Sequence, residues 1–291
     1  MTDLAVLAEA CLLAGLDAVD ARLVREGENT IYQLRSSIYV RISRPGQQAA
    51  AVREVAVSRW LNAAGVAAVS AVGDIQQPII CRNRPVTFWT EIPRHRPGYP
   101  AEIAAVLARL HALPVPENLS LGYLDPFVRL PERIASADIA EDDRIWLLEQ
   151  INTLRVQWDA LIPGLSTCVV HGDAWSGNVV SVLDGGRVIL MDLERCSVGP
   201  PQWDLTSTAV KVTTDGRLTR AEYEAFVEVY GSDVMEWNHF TLFRDIRELR
   251  MTTFAVQAAG RGGEFRREAK LRIACLRGRS GDRPWSWTPI N

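Results

Sequence analysis

Near residue 93 the hydrophobic pattern of this chain changes period, and that change divides it into two parts. Before it, short β-type runs at 21–26, 30–35 and 37–43 are separated by the turn-like Gly27-Glu28-Asn29 and Ser36-Ser37. Such a succession predicts an antiparallel meander. Pro45-Gly46 breaks it, and residues 47–64 then place Val52, Val55, Ala56, Trp60 and Ala63 at helical spacing before Gly65 stops them. Two further strand-like runs, around Ile79 and over 86–92, end at Pro93. Beyond Pro100 the period becomes helical: Ile103, Val106, Leu107 and Leu110 share one face, and Ile145, Leu148, Ile151, Leu154 and Trp158 mark another. The expected fold class is α+β. A small N-terminal lobe, antiparallel sheet plus one helix, is expected over 1–93, and a larger, mainly α lobe over 94–291. A length of 291 residues suits two such units.

One β island interrupts the helical part. Within 168–194 two strand-like runs, VVSVL and RVILMDLE, are joined by Asp184-Gly185-Gly186, a hairpin signal. Thr219 with Glu222 forms a capping-box signature for a later helix, and 238–277 reads as helical with a break near 260–263.

Composition excludes several function classes. Lys and Arg number 32 against 35 Asp and Glu, a net charge of −3, and no basic run supplies the stripe that nucleic-acid binding requires. Only Lys211 and Lys270 are lysines. The five cysteines are scattered and form no C-x-x-C pair, which fits a reducing compartment rather than a zinc knuckle or disulfide framework. Residues 1–16 are apolar but carry Asp3 and Glu9 and lack a basic leader, so they read as an amphipathic helix. No apolar run approaches membrane-spanning length. A cytoplasmic protein with no nucleic-acid and no membrane partner is expected.

The informative stretch is His171-Gly172-Asp173-Ala174-Trp175-Ser176-Gly177-Asn178, followed after the hairpin by Met191-Asp192-Leu193-Glu194. An Asp five positions before an Asn, with a second Asp after the following hairpin, is the spacing of a kinase catalytic loop. Phosphoryl transfer needs a carboxylate to take the acceptor hydroxyl's proton and hard oxygen ligands for magnesium on the nucleotide phosphates. Asp173 suits the first task; Asn178 and Asp192 suit the second.

These residues, with GPPQWDL at 199–205, resemble the aminoglycoside phosphotransferase and choline kinase group of small-molecule kinases. Upstream, EGENTIYQL resembles that family's nucleotide-covering loop, YVRIS its third strand, REVAVSRWL its helix C and FWTEIP its hinge, so that about 30–205 is covered. The resemblance implies a protein-kinase-like fold with the active site in the cleft between lobes, ATP or GTP with Mg2+ as cofactors, and a small-molecule hydroxyl acceptor. It implies nucleotide contacts from Gly27, Asn29, Arg41, Glu54, Glu91 and Ile92, with Arg41 standing where the family has lysine. It also makes Asp204 a brace for the catalytic loop.

Each residue also has a plainer reading. Gly27 and Asn29 suit an ordinary β-turn, and Arg41 with Glu54 suits an exposed ion pair. His171 fits loop orientation better than acid–base work. Trp175 fits stacking on an acceptor ring and anchoring of the loop equally well. Trp285 and Trp287 read as packing residues.

For the acceptor, residues 201–291 hold 12 acidic against 14 basic side chains. That count points away from a polycationic drug, while Asp245 and Glu248, three apart on one helix face, supply a local acidic pair. An aminoglycoside or other antibiotic, a sugar and an amino alcohol all stand as acceptors. The rival reading is a catalytically impaired nucleotide-binding module, suggested by Arg41. A metallophosphatase would need more histidine ligands than His95, His111, His171 and His239 provide.

Overall fold

The computed structural model describes residues 3–27 and 29–290, and by packing the chain divides into two compact units. Unit 1 comprises Met1–Gly122 and Ser176–Ser197; unit 2 comprises Tyr123–Trp175 and Val198–Asn291. The packing division therefore falls elsewhere than the 93/94 boundary expected from periodicity. Strand pairing is the reason: β6 (His95–Pro97) is hydrogen-bonded to β8 (Val179–Val182), which carries the β8–β9 hairpin (β9, Val188–Leu190) into the N-terminal unit.

Unit 1 opens with α1 (Asp3–Ala14) and is built on a five-stranded antiparallel sheet in the order β1-β2-β3-β5-β4. Its strands are β1 (Arg22–Arg25), β2 (Thr30–Gln33), β3 (Ile38–Ile42), β4 (Ile79–Cys81) and β5 (Arg84–Thr90). In β3, alternation buries Val40 and Ile42 on one face and turns Arg41 to the other, opposite Ile31 on one side and Thr87 on the other. Helix α2 (Gln48–Ala63) covers that second face.

The α2 stripe differs from the one read from periodicity. Val52 is 53% exposed, and the buried face runs through Ala51, Glu54, Val55, Ser58 and Leu61. Polar residues can occupy this face because each has a partner: Glu54 binds Arg41, and the Ser58 hydroxyl donates to the Val69 carbonyl at 2.6 Å. A hydrophobicity count cannot register a buried polar stripe. Helix α3 (Pro100–His111) packs on β9, and its buried face runs through Ile103, Ala104, Val106, Leu107 and Leu110.

Unit 2 is mainly helical: α4 (Leu130–Ala135), α5 (Glu141–Leu161), α6 (Gln202–Thr213), α7 (Arg220–Tyr230), α8 (Phe240–Ala258) and α9 (Gly263–Leu276). A small two-stranded sheet pairs β7 (Cys168–Val170) with β10 (Ser197–Gly199). On α5 the core face is Leu147, Ile151, Leu154 and Trp158, whereas the expected Ile145 and Leu148 are exposed. The helical period holds, and its phase differs by one position at the N-terminal end of α5, where Leu147 rather than Leu148 is buried. Trp158, Trp203 and Phe243 form an aromatic core with ring centroids 5.0 to 6.1 Å apart. Trp285 and Trp287 stack on each other and are buried, as packing residues should be. The capping box at Thr219 and Glu222 opens α7. Among the described residues no helix is long and apolar enough to cross a membrane.

Candidate active site

In unit 1 the centre of the site is Arg41. Its Nη1 donates to both carboxylate oxygens of Glu54, at 2.7 and 2.8 Å, and its Nη2 donates to Glu194 at 3.0 Å. With its amide turned so that the carbonyl faces the guanidinium, Asn29 accepts from Nε at 3.0 Å and Nη2 at 2.6 Å. A planar fork with five donors can hold three partners at once, which an ammonium on a flexible stem cannot do in the same geometry. Burial works against the Arg41 charge, but Glu54, Asp192 and Glu194 outweigh it and raise its pKa. Burial pushes the Glu54 carboxyl up to about 7, helped by Asp192 and Glu194 and opposed by Arg41. Gly27 lies exposed beyond β1, and Glu28, the middle of the expected turn, is outside the described residues.

Glu91 follows β5. Its amide donates to the Ser37 carbonyl at 2.9 Å and its carboxylate accepts from Gln33 at 2.8 Å. Ile92 packs against the Val180, Val182 and Ile189 cluster.

Asn178 and Asp192 bracket the β8–β9 hairpin in the same unit, and the Met191 amide donates to the Asn178 carbonyl at 2.8 Å, so the two residues sit side by side. Asp192 has a left-handed backbone, φ 52, at the turn that leaves β9, and its side chain is exposed. Gly98 supports this hairpin: its amide donates to the Val179 carbonyl, and a Cβ there would stand 2.9 Å from that oxygen. Among the described residues no group of three or more His, Cys, Asp or Glu could hold a metal. An amide oxygen and a carboxylate fit magnesium, which takes one or two protein oxygens and completes its shell with water and phosphate.

In unit 2 the loop after β7 is held by Asp204, the first-turn acid of α6. Its two oxygens accept from the backbone amides of His171 and Gly172, at 2.7 and 2.9 Å, and it is fully buried. Gly172 adopts φ 82, a conformation that glycine reaches at no steric cost. Its carbonyl accepts from Trp203 Nε1 at 2.9 Å, and the buried His171 ring lies 3.3 Å from the Asp173 amide. The aromatic core and a buried carboxylate thus clamp the loop, and the Asp173 side chain is left 36% exposed.

Arg247 on α8 was not singled out from sequence. It stacks 4.0 Å from the Trp203 ring centroid, donates to the Trp203 carbonyl at 2.9 Å and brings Nη1 within 3.7 Å of an Asp173 oxygen. Its place in the chain, 74 positions after Asp173, carries no local signal. Trp175 is 43% exposed, and Lys211 on α6 holds its Nζ 6.0 Å from that ring's centroid. The rarity of lysine in this chain was the one available pointer to Lys211.

Glu248 is fully buried and accepts from Thr214 at 2.7 Å and from Arg283 at 2.7 and 2.6 Å, so it ties the C-terminal segment to α8. Asp245 accepts from Arg244 at 3.0 and 2.9 Å and lies 3.7 Å from Arg283. The acidic pair that the i,i+3 spacing suggested is thus met by Arg244, Arg283 and Thr214.

Several solved structures share this architecture. Amicoumacin kinase hAmiN in complex with AMP-PNP, Ca2+ and Ami matches with a TM-score of 0.74 and 14% identity over 95% of this chain and 93% of that one. A microcompartment-associated aminopropanol kinase matches at 0.72 and 14% over 96% and 95%. Choline kinase LicA from Streptococcus pneumoniae matches at 0.65 and 15% over 95% and 98%. The fold is the protein-kinase-like one, with antiparallel sheets in a small N-terminal lobe and a mainly helical C-terminal part. No curated protein sequence matches the chain. The profile of the phosphotransferase enzyme family (APH) matches residues 20–240, and the chain belongs to that family.

Proposed function

We propose that this protein is a kinase that moves the γ-phosphoryl group of ATP, or of GTP, to a hydroxyl of a small molecule, with Asp173 as the base. The observation that carries the reading is the clamp on the catalytic loop: Asp204 takes both amides of His171 and Gly172 and leaves the Asp173 carboxylate at the surface. The magnesium nucleotide, when bound, supplies the transferable group and neutralises charge on the phosphates. Asp173 then orients the acceptor hydroxyl and takes its proton as the new O–P bond forms and the nucleoside diphosphate departs. Asn178 and Asp192 offer the oxygens for the metal, while Gly27, Asn29, Arg41, Glu91 and Ile92 serve the nucleotide and Glu54 holds Arg41. Positioning and charge supply most of the rate, so no covalent enzyme intermediate is called for.

The alternative of an impaired nucleotide-binding module drew on arginine at position 41. The Arg41–Glu54 bonds favour the active reading, because that ion pair is what kinase chemistry requires. Asp173→Asn should abolish transfer to any acceptor and leave nucleotide affinity within about twofold, since no phosphate or metal contact is touched. Equal turnover by wild type and Asp173→Asn would refute the assignment.

A further inference from the structure

We infer that Glu194 is a displaceable latch on Arg41: its carboxylate holds the side of the guanidinium that a nucleotide phosphate takes, and phosphate binding drives it off. The inference rests on the kinase reading above and adds a positioning residue to it. All the groups concerned lie in unit 1. No guanidinium nitrogen of Arg41 is idle, since Nη1 donates to Glu54, Nε to Asn29, and Nη2 to both Asn29 and Glu194. A phosphate oxygen therefore bonds to Arg41 only by replacing one of these acceptors. The latch is a consequence of arginine at position 41, because an ammonium could not hold the same three partners in this geometry.

The three partners are not equally replaceable. Glu54 meets Nη1 with both oxygens, at 2.7 and 2.8 Å, and is buried, so without Arg41 its carboxylate would be charged and unhydrated. Asn29 is neutral and meets two nitrogens, at 3.0 and 2.6 Å. Were Asn29 to yield, the phosphate would share Nη2 with the Glu194 carboxylate, and two anions on one nitrogen repel each other. Glu194 makes a single contact at 3.0 Å, and its side chain is 28% exposed, so once released it is hydrated where it stands. Charge balance points the same way. One guanidinium faces the carboxylates of Glu54, Asp192 and Glu194, and incoming phosphates add to that negative excess unless a carboxylate withdraws. Glu54 is enclosed and Asp192 is the metal residue of the reading above, which leaves Glu194.

The test is calorimetric titration of the full chain with ATP in EDTA, which reads Arg41 without the metal contacts of Asn178 and Asp192. Glu194→Gln keeps the shape of the side chain and removes its charge. Glu194→Asp keeps the charge and withdraws it by one carbon from Nη2. Both should bind metal-free ATP about fivefold more tightly than wild type, the difference between a charge-assisted and a neutral hydrogen bond. Tightening in only one of the two would overturn the latch, and in Glu194→Gln alone it would be an effect of net charge. Affinities equal to or below that of wild type would overturn it too, as would metal-free ATP bound by none of the three proteins. In each of those cases turnover of Mg-ATP by wild type on an acceptor would leave the kinase reading standing. No binding of ATP by wild type with or without Mg2+ would overturn both.

Discussion

Arg41 shows how one side chain can join three segments that are distant in sequence. It binds Glu54 on α2, Glu194 beyond the hairpin and Asn29 ahead of β2, and all four residues lie in unit 1. Glu54 is 5% exposed, so removing its partner leaves a carboxylate in a place where it cannot be hydrated. Arg41→Met should therefore destabilise the protein by about 3 kcal/mol, whereas Arg41→Lys, which keeps charge but loses the fork, should cost about half as much. Urea unfolding without nucleotide measures both. Equal, small losses would show that Arg41 and Glu54 act independently.

At the level of elements, the entry to α3 sets the hairpin's position. Pro100 is pre-shaped for a first helical turn, and Glu102 reaches back to the Tyr99 amide at 2.7 Å. Arg96 then forks onto the same carboxylate at 2.7 and 2.8 Å and lies over the Tyr99 ring. That hydrogen bonding from Arg96 holds the Glu102 pKa down to about 2, below its ordinary 4.5. A carboxyl whose pKa is lower in the folded than in the unfolded state stabilises the fold above its unfolded value and loses that contribution as pH falls towards its folded one. Wild type should thus melt above Glu102→Gln at pH 7. The gap should close between about pH 4.5 and pH 2, followed by thermal melts across that range. A gap that persisted at pH 2 would assign the stabilisation to packing instead.

For the whole molecule, ligand linkage tests the metal assignment. Mg-ATP at about a hundred times its dissociation constant stabilises a protein by about 2.7 kcal/mol, which for a chain of this size raises the melting temperature by about 5 °C. Wild type and Asp173→Asn should both show the shift, and Asp192→Ala should lose most of it. An undiminished shift in Asp192→Ala would remove Asp192 from the metal site.

Much of this was legible from the chain alone, because it is encoded locally. The meander, the hairpin at Asp184-Gly185-Gly186 and the α7 capping box all depend on neighbours within a few positions. What periodicity misplaced was the buried face of α2, whose Glu54 and Ser58 are inside only because Arg41 and the Val69 carbonyl meet them there. Tertiary contacts also decided that Arg247 lies beside Asp173 and that Glu248 is tied to Thr214 and Arg283, since those partners stand 30 or more residues away. Burial and charge pairing are properties of three-dimensional neighbourhoods, and one-dimensional spacing carries no record of them.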